Sequence, residues 1–127
     1  MKNKQAAPII LLVDDDPAIL ETVGERLRSE GYKVVKAEDG DAAFQLALRI
    51  KPDLIVLDVN LPKRIGFSVA RMLKLDETAR KIPILMLTGR DKDSDYRLGA
   101  LTGADAYMTK PFETKDLLET IARLLRQ

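Results

Sequence analysis

The 127 residues are 46% hydrophobic and 32% charged, a balance that indicates one globular domain with a full apolar core. A formal net charge of +1 argues against a general nucleic-acid-binding surface. The absence of cysteine and histidine excludes disulfides, thiolate and imidazole catalysis, and a phosphohistidine on this chain. Only oxygen atoms remain as metal ligands, and oxygen ligands favour hard cations such as Mg²⁺, Ca²⁺ or Mn²⁺.

The apolar runs and the first residues of the sequence predict a cytoplasmic protein. No apolar run approaches the roughly 18 residues that a membrane-spanning helix needs. Residues 1–8 are polar and lack the apolar core of a signal peptide. We therefore expect a polar N-terminal tail over residues 1–8 and one folded domain over residues 9–127.

The first part of the chain alternates between strand and helix patterns. Apolar residues predict strands over Ile9–Val13 and Lys33–Ala37. Between them, Asp16 has the features of an N-cap followed by proline at the first helical position, and Gly31 is a typical helix stop. A second helix follows the second strand, and Pro52 prevents that helix from continuing.

The next strand pattern occupies residues 53–58, in which four apolar residues run without interruption and end on an acid, Asp58. An uninterrupted Leu/Ile/Val run this short is typical of a strand that is buried on both faces of a parallel sheet. Its last residue then lies at the carboxyl edge of the sheet, where open α/β folds place their ligands.

The remaining residues continue the alternation of helix and strand. Residues 91–103 predict a helix of low stability, because Gly99 lies inside it and large apolar side chains are few. In chain order, the patterns predict a helix after Gly66, a strand over 82–87, the weak helix, a strand over 105–109 and a helix over 113–126. Five alternations with short connections indicate an α/β fold, a doubly wound parallel sheet with helices on both faces.

Polar residues capable of chemistry follow four of the predicted strands. They are the acids at 14–16 after the first strand, Asp58 at the end of the third, Thr88 after the fourth and Lys110 after the fifth. If the first and third strands are neighbours, Asp14, Asp15 and Asp58 come within a few ångströms of each other. Carboxylates that close repel one another unless a cation lies among them, and Mg²⁺ suits an all-oxygen site.

These groups together favour phosphoryl chemistry. A carboxylate can attack phosphorus to form an acyl phosphate, while a cation neutralises the incoming oxygens. A lysine supplies a point charge to one phosphoryl oxygen, and a threonine hydroxyl can donate to another. A lone acid after a strand is more often a turn former or helix cap, which is the role we predict for Asp16.

The sequence resembles the response-regulator receiver domain of two-component signalling, a CheY-like superfamily. The matching segments are 10–17, 53–58, 61–62, 83–88 and 103–112, and they spread in family order over nearly the whole chain. The resemblance implies a flavodoxin-like sheet of five parallel strands in the order 2-1-3-4-5 and a receiver domain over residues 9–127. It also implies a signalling switch rather than an enzyme, with only self-catalysed phosphoryl transfer and autodephosphorylation.

The resemblance assigns a phosphoacceptor and a metal site. It makes Asp58 the acceptor of a phosphoryl group from a sensor histidine kinase, a phosphotransfer protein or a small phosphodonor. It implies that Mg²⁺, for which Mn²⁺ can substitute, binds Asp15, Asp58 and the backbone carbonyl of Asn60 directly. Asp14 is implied to contribute through a water.

The resemblance also assigns the groups that sense phosphorylation. Lys110 is implied to contact a phosphoryl oxygen, Thr88 to move and hydrogen-bond another, and Tyr107 to change rotamer with Thr88. The predicted fourth helix, fifth strand and fifth helix would then form the output face for an unknown downstream target or output domain. Direct nucleic-acid binding and membrane binding are not expected of this domain.

Three other functions fit part of the pattern. A haloacid-dehalogenase-type phosphohydrolase would use Asp14 as its nucleophile and Asp16 as a second acid, but it leaves Asp58 unexplained. A flavodoxin-like cofactor module needs hydroxyls and glycines after the first strand, where three acids would instead repel a phosphate. A receiver that only acts as a scaffold would not need the complete set of acids, threonine and lysine.

Overall fold

Five parallel strands form the centre of the molecule, in the order β2-β1-β3-β4-β5. The computed structural model describes residues 6–59, 61, 66–89 and 103–126. The strands are β1 (Ile9–Val13), β2 (Lys33–Ala37), β3 (Leu54–Asp58), β4 (Ile84–Thr88) and β5 (Ala106–Thr109). The predicted parallel sheet and the strand order implied by the family resemblance are both confirmed.

Helices cover both faces of the sheet. Those in the described residues are α1 (Pro17–Ser29), α2 (Gly40–Ile50), α3 (Gly66–Leu75) and a C-terminal helix (Thr114–Leu125), the fifth predicted from the sequence. The fourth predicted helix, at 91–103, lies outside the described residues except for Gly103, which has a φ of 83°. In the described part of the chain, no helix is long and apolar enough to cross a membrane.

Alternate side chains of the central strands pack on opposite faces of the sheet. On one face, residues such as Leu11 and Ile55 pack in a cluster with apolar side chains of α2 and α3. On the other, residues such as Leu12 and Val56 pack with side chains of α1 and the C-terminal helix. Burying each large aliphatic side chain contributes about 1.5–3 kcal/mol. This core fixes β3 and β4, in which every residue is buried, and so fixes where their last residues emerge.

The ends of the strands differ from the predictions by one or two residues. β4 begins at Ile84 rather than at residue 82, because Pro83 has no N–H to offer a neighbouring strand. β5 begins at Ala106 rather than at residue 105, and the side chain of Asp105 hydrogen-bonds β4 instead. α2 ends as predicted before Pro52, with Lys51 in the left-handed conformation at a φ of 49°.

The predicted start and stop of α1 are confirmed. The carboxylate of Asp16 accepts a hydrogen bond from the N–H of Ala18 at 2.9 Å, and Pro17 occupies the first helical position. Gly31 follows the helix with a φ of 98°, a conformation that favours glycine. The cap makes the chain turn sharply after β1, so Asp14 and Asp15 stay at the carboxyl edge of the sheet.

Candidate functional site

Three carboxylates meet where β1 and β3 end. The strands are neighbours, with Val13 paired to Leu57, and oxygen atoms of Asp14, Asp15 and Asp58 all lie within 4.8 Å of one another. Asp14 is fully buried and Asp58 is 5% exposed, whereas Asp15 is exposed. The cluster is therefore a pocket of negative charge that opens to solvent beside Asp15.

Asp14 is held rigidly by both of its carboxylate oxygens. Oδ1 accepts a hydrogen bond from the backbone N–H of Asp16 at 3.0 Å, and Oδ2 accepts one from the ammonium of Lys110 at 3.0 Å. The backbone N–H of Asp14 donates to the carbonyl of Ala37 in β2 at 3.1 Å. With no exposed surface and both oxygens occupied, Asp14 is placed to orient other groups rather than to react.

Among the described residues, Lys110 is the one cation within salt-bridge distance of this cluster. Its ammonium lies 3.0 Å from Oδ2 of Asp14 and 3.4 Å from Oδ1 of Asp58. Its backbone N–H donates to the carbonyl of Thr88 at 2.7 Å, which ties the end of β5 to the end of β4. Burial alone lowers the pKa of the ammonium, but the hydrogen bond to Asp14 and the charge of Asp58 outweigh burial, so the pKa is raised.

The structure brings Thr88 to the same edge of the sheet. Tyr107 lies on the neighbouring strand, two residues before the partner of Thr88. Thr88 is the last residue of β4, is 1% exposed and pairs with Thr109 of β5. Tyr107 pairs with Met86 and is half-buried against the core that faces α2 and α3. Asn60, the predicted carbonyl ligand, lies outside the described residues.

Sequence reasoning missed the role of Gly66, which begins α3. A Cβ at this position would overlap the carbonyl oxygen of Asp58 and lie 2.9 Å from the Cα of Val59. The N–H of Gly66 donates to the carbonyl of Val59 at 2.8 Å. The start of α3 thus rests directly on the backbone of Asp58. The available signal was a glycine at a helix start that lacks a typical N-cap residue.

The residues present fit a hard divalent cation. Among the described residues, three carboxylates cluster beside one ammonium, which contacts two of them, so these four groups carry excess negative charge when all are ionised. The donors are all oxygen atoms, which Mg²⁺ and Mn²⁺ prefer. A cation bound here would relieve the repulsion among the three carboxylates.

The chain belongs to the response regulator receiver domain family, whose model matches residues 10–122. It is thus a receiver domain of the kind found in two-component systems. Among curated relatives, the DNA-binding dual master transcriptional regulator RpaA of Synechocystis is 45% identical over 120 residues, which is 94% of this chain and 50% of that protein. The alkaline phosphatase synthesis regulator PhoP of Bacillus subtilis is 43% identical over 118 residues. The chain spans about half the length of these curated relatives.

Solved structures show the same fold. The receiver domain of the sensor histidine kinase PA1611 from Pseudomonas aeruginosa matches with a TM-score of 0.89 and 33% identity, covering 96% of this chain and all of that one. A magnesium ion is coordinated in the active-site cleft of that domain. The chemotaxis response regulator CheY4 of Vibrio cholerae matches with a TM-score of 0.87 and 33% identity, over 93% of this chain and 98% of its own.

Proposed function

We propose that this receiver domain is a phosphorylation switch in which Asp58 accepts the phosphoryl group. The observation that carries this proposal is that the Asp58 carboxylate has an ammonium 3.4 Å away and one oxygen of each of two further carboxylates within 4.8 Å. Asp58 is also next to the exposed side of the cluster, where a donor can approach. Asp14 has the same charged neighbours, but both its oxygens accept hydrogen bonds and none of its surface is exposed.

The transfer needs little covalent work from the protein. An ionised oxygen of Asp58 attacks phosphorus, the bond from phosphorus to the donor nitrogen or oxygen breaks, and the leaving group keeps the electron pair. No general base is required, because the attacking carboxylate carries no proton. Asp15, Asp58 and the carbonyl of Asn60 would hold Mg²⁺ or Mn²⁺, with Asp14 acting through a water, and the ion would supply positive charge to the phosphoryl oxygens.

The remaining residues respond to the new charge. Lys110 lies close enough to Asp58 to contact a phosphoryl oxygen once the acyl phosphate forms. Thr88, at the end of the adjacent strand, would donate its hydroxyl to another oxygen, and Tyr107 would follow that movement. The response would reach an output face formed by residues 91–103, β5 and the C-terminal helix. Attack of water on phosphorus then breaks the bond between phosphorus and the Asp58 oxygen, releases phosphate and restores the Asp58 carboxylate.

The partners proposed for this domain follow from that chemistry. The phosphoryl donor is a sensor histidine kinase or phosphotransfer protein, since the chain itself has no histidine to carry the group. A cytoplasmic location, where such donors and small acyl phosphates meet the receiver, forms part of the proposal. The downstream target is a protein or domain that recognises the output face.

Incubation with acetyl phosphate and Mg²⁺, followed by intact mass measurement, tests the proposal. We expect a gain of one phosphoryl group that is absent in Asp58→Asn and reduced when EDTA replaces Mg²⁺. Asp53→Asn is the matched control, since Asp53 directly precedes the other end of β3 and accepts a hydrogen bond from the backbone N–H of Ile9 that asparagine can keep. Undiminished phosphorylation of Asp58→Asn would refute the assignment.

A further inference from the structure

The position of Lys110 depends on β5, which is less buried than the central strands. All four residues of β5 are half-buried, whereas every residue of β3 and β4 is buried. β5 lies at the edge of the sheet and pairs with β4 only. Because side chains alternate along a strand, a slip of one residue would turn Lys110 away from Asp14 and Asp58. A constraint beyond burial is needed to fix this register.

Asp105 provides that constraint at the start of β5. Its Oδ2 accepts a hydrogen bond from the backbone N–H of Ile84 at 2.8 Å, and its own N–H donates to the carbonyl of Ile84 at 2.9 Å. Asp105 therefore satisfies both polar backbone groups of the first residue of β4. This double attachment pairs Asp105 with Ile84 and sets the register of the residues that follow, up to Lys110.

Lys74, near the end of α3, holds the carboxylate of Asp105 in place. Its ammonium donates to Oδ2 of Asp105 at 2.9 Å and to the carbonyls of Arg80 and Ile82 at 3.2 and 3.0 Å. These three bonds use all three ammonium donors. The Lys74 side chain is only 18% exposed, so water competes weakly for these contacts. The ammonium thus fixes the carboxylate that pairs with Ile84.

The helix that carries Lys74 also contacts the phosphoacceptor strand. At its first residue, Gly66 rests on the backbone of Asp58. At its ninth residue, Lys74 binds Asp105 at the start of the strand that leads to Lys110. α3 therefore links the backbone beneath the acceptor carboxylate to the strand that delivers the ammonium.

We propose that Lys74 and Asp105 are positioning residues of the phosphoryl site, which fix the register of β5 and so hold Lys110 against Asp14 and Asp58. The inference rests on the proposed function, since that proposal gives Lys110 its phosphoryl contact. Neither residue touches the reacting atoms. Both act through the backbone of β5.

Amide hydrogen exchange of the whole chain, measured by NMR without phosphodonor, tests this positioning role. We expect Lys74→Met to speed exchange at Ile84, and also at Lys110 five residues beyond Asp105, by about tenfold relative to the amides of β3. This factor corresponds to about 1.4 kcal/mol, the size of one or two intramolecular hydrogen bonds. The β3 amides report any general loss of stability. Faster exchange at Ile84 with an unchanged rate at Lys110 would confine the pair to a local role and overturn the proposal.

Matched variants separate the ion pair from the hydrogen bond to Ile84. Asp105→Asn removes the charge but keeps an oxygen acceptor, so its effect at Lys110 should be smaller than that of Asp105→Ala. Lys81→Met removes an exposed lysine from the same connection and should leave both rates unchanged. If Asp105→Asn and Asp105→Ala both left the exchange rate at Lys110 unchanged, the proposal would be contradicted.

Phosphorylation kinetics complete the test. With acetyl phosphate and saturating Mg²⁺, Lys74→Met should be phosphorylated more slowly than wild type, and Lys81→Met at the wild-type rate. If Lys74→Met were phosphorylated at the wild-type rate, the positioning role of Lys74 and Asp105 would be overturned, but the proposed function would not. Phosphorylation that survives Asp58→Asn would instead overturn the proposed function, and the exchange data would still judge the pair.

Discussion

Removing the charge of Asp58 should stabilise the folded protein when divalent cations are absent. Oδ1 of Asp58 lies 3.4 Å from the Lys110 ammonium, an attraction of about 5 kcal/mol at an effective dielectric constant of about 20. Buried Asp14, within 4.8 Å, opposes this with a repulsion of about 3.5 kcal/mol or more on the same scale. Asp15 adds a share that water screens, and the 5% exposure of Asp58 adds a cost of dehydrating its carboxylate.

These opposing terms favour the neutral side chain by a small margin. Asparagine keeps an oxygen that can accept from Lys110 while it removes both repulsions and much of the dehydration cost. We therefore expect Asp58→Asn to raise the free energy of unfolding in EDTA by about 1 kcal/mol. In saturating Mg²⁺ the difference should shrink or reverse, because an ion that binds the folded wild-type site stabilises it by mass action.

Urea unfolding followed by circular dichroism, in EDTA and in Mg²⁺, measures this difference. Glu25→Gln is the control, since it removes one negative charge from an exposed position on α1 and should change stability by less than about 0.5 kcal/mol. A loss of stability in Asp58→Asn that is equal in EDTA and in Mg²⁺ would show that attraction to Lys110 dominates, and would refute the reasoning.

Three further predictions concern groups around the site. Gly66→Ala should lower the free energy of unfolding by about 1–3 kcal/mol, because the new Cβ would overlap the Asp58 carbonyl. It should also slow phosphorylation. Gly89→Ala is the control in urea unfolding, since its new Cβ would lie 4.0 Å from the Cβ of Lys110. The pKa of Lys110 is raised in the folded state, so its charged ammonium stabilises the fold. This stabilisation is fully present below the ordinary lysine pKa of about 10.4 and is lost as pH rises through the raised pKa. A shift to alkaline pH should therefore lower the free energy of unfolding of Lys110→Met less than that of wild type. Asp16→Ala should cost about 1 kcal/mol in urea unfolding through loss of the N-cap, and Asp16→Asn much less. An Ala variant at 66 as stable as wild type, equal alkaline losses, or a harmless Asp16→Ala would each count against the structure described.

The fold and the gathering of acids could be predicted because they depend on local patterns. The apolar runs before Asp14 and Asp58 identify buried parallel strands, and parallel strands must end at one edge. The Asp16-Pro17 pair likewise identifies the turn into α1 without any tertiary information. The roles of all the site residues stay predictions: those of Asp58 and Lys110, those of Asp14 and Asp15, and those of Thr88, Tyr107 and the carbonyl of Asn60.

The supporting contacts could not be predicted, because they depend on tertiary packing. Lys74 and Asp105 lie 31 residues apart and each has the sequence features of an ordinary surface charge. They meet only because α3 returns along the sheet to the start of β5. Gly66 is equally ambiguous in the sequence, since the close approach of its backbone to Asp58 arises from how α3 packs against β3.

The position of the phosphoryl group is the most direct test of this account. Borohydride reduces an acyl phosphate on aspartate to an alcohol, which converts that residue to homoserine and marks it for peptide mass spectrometry. After treatment with acetyl phosphate and Mg²⁺, we predict homoserine at position 58. Homoserine at position 14, as the haloacid-dehalogenase-type reading requires, would contradict it.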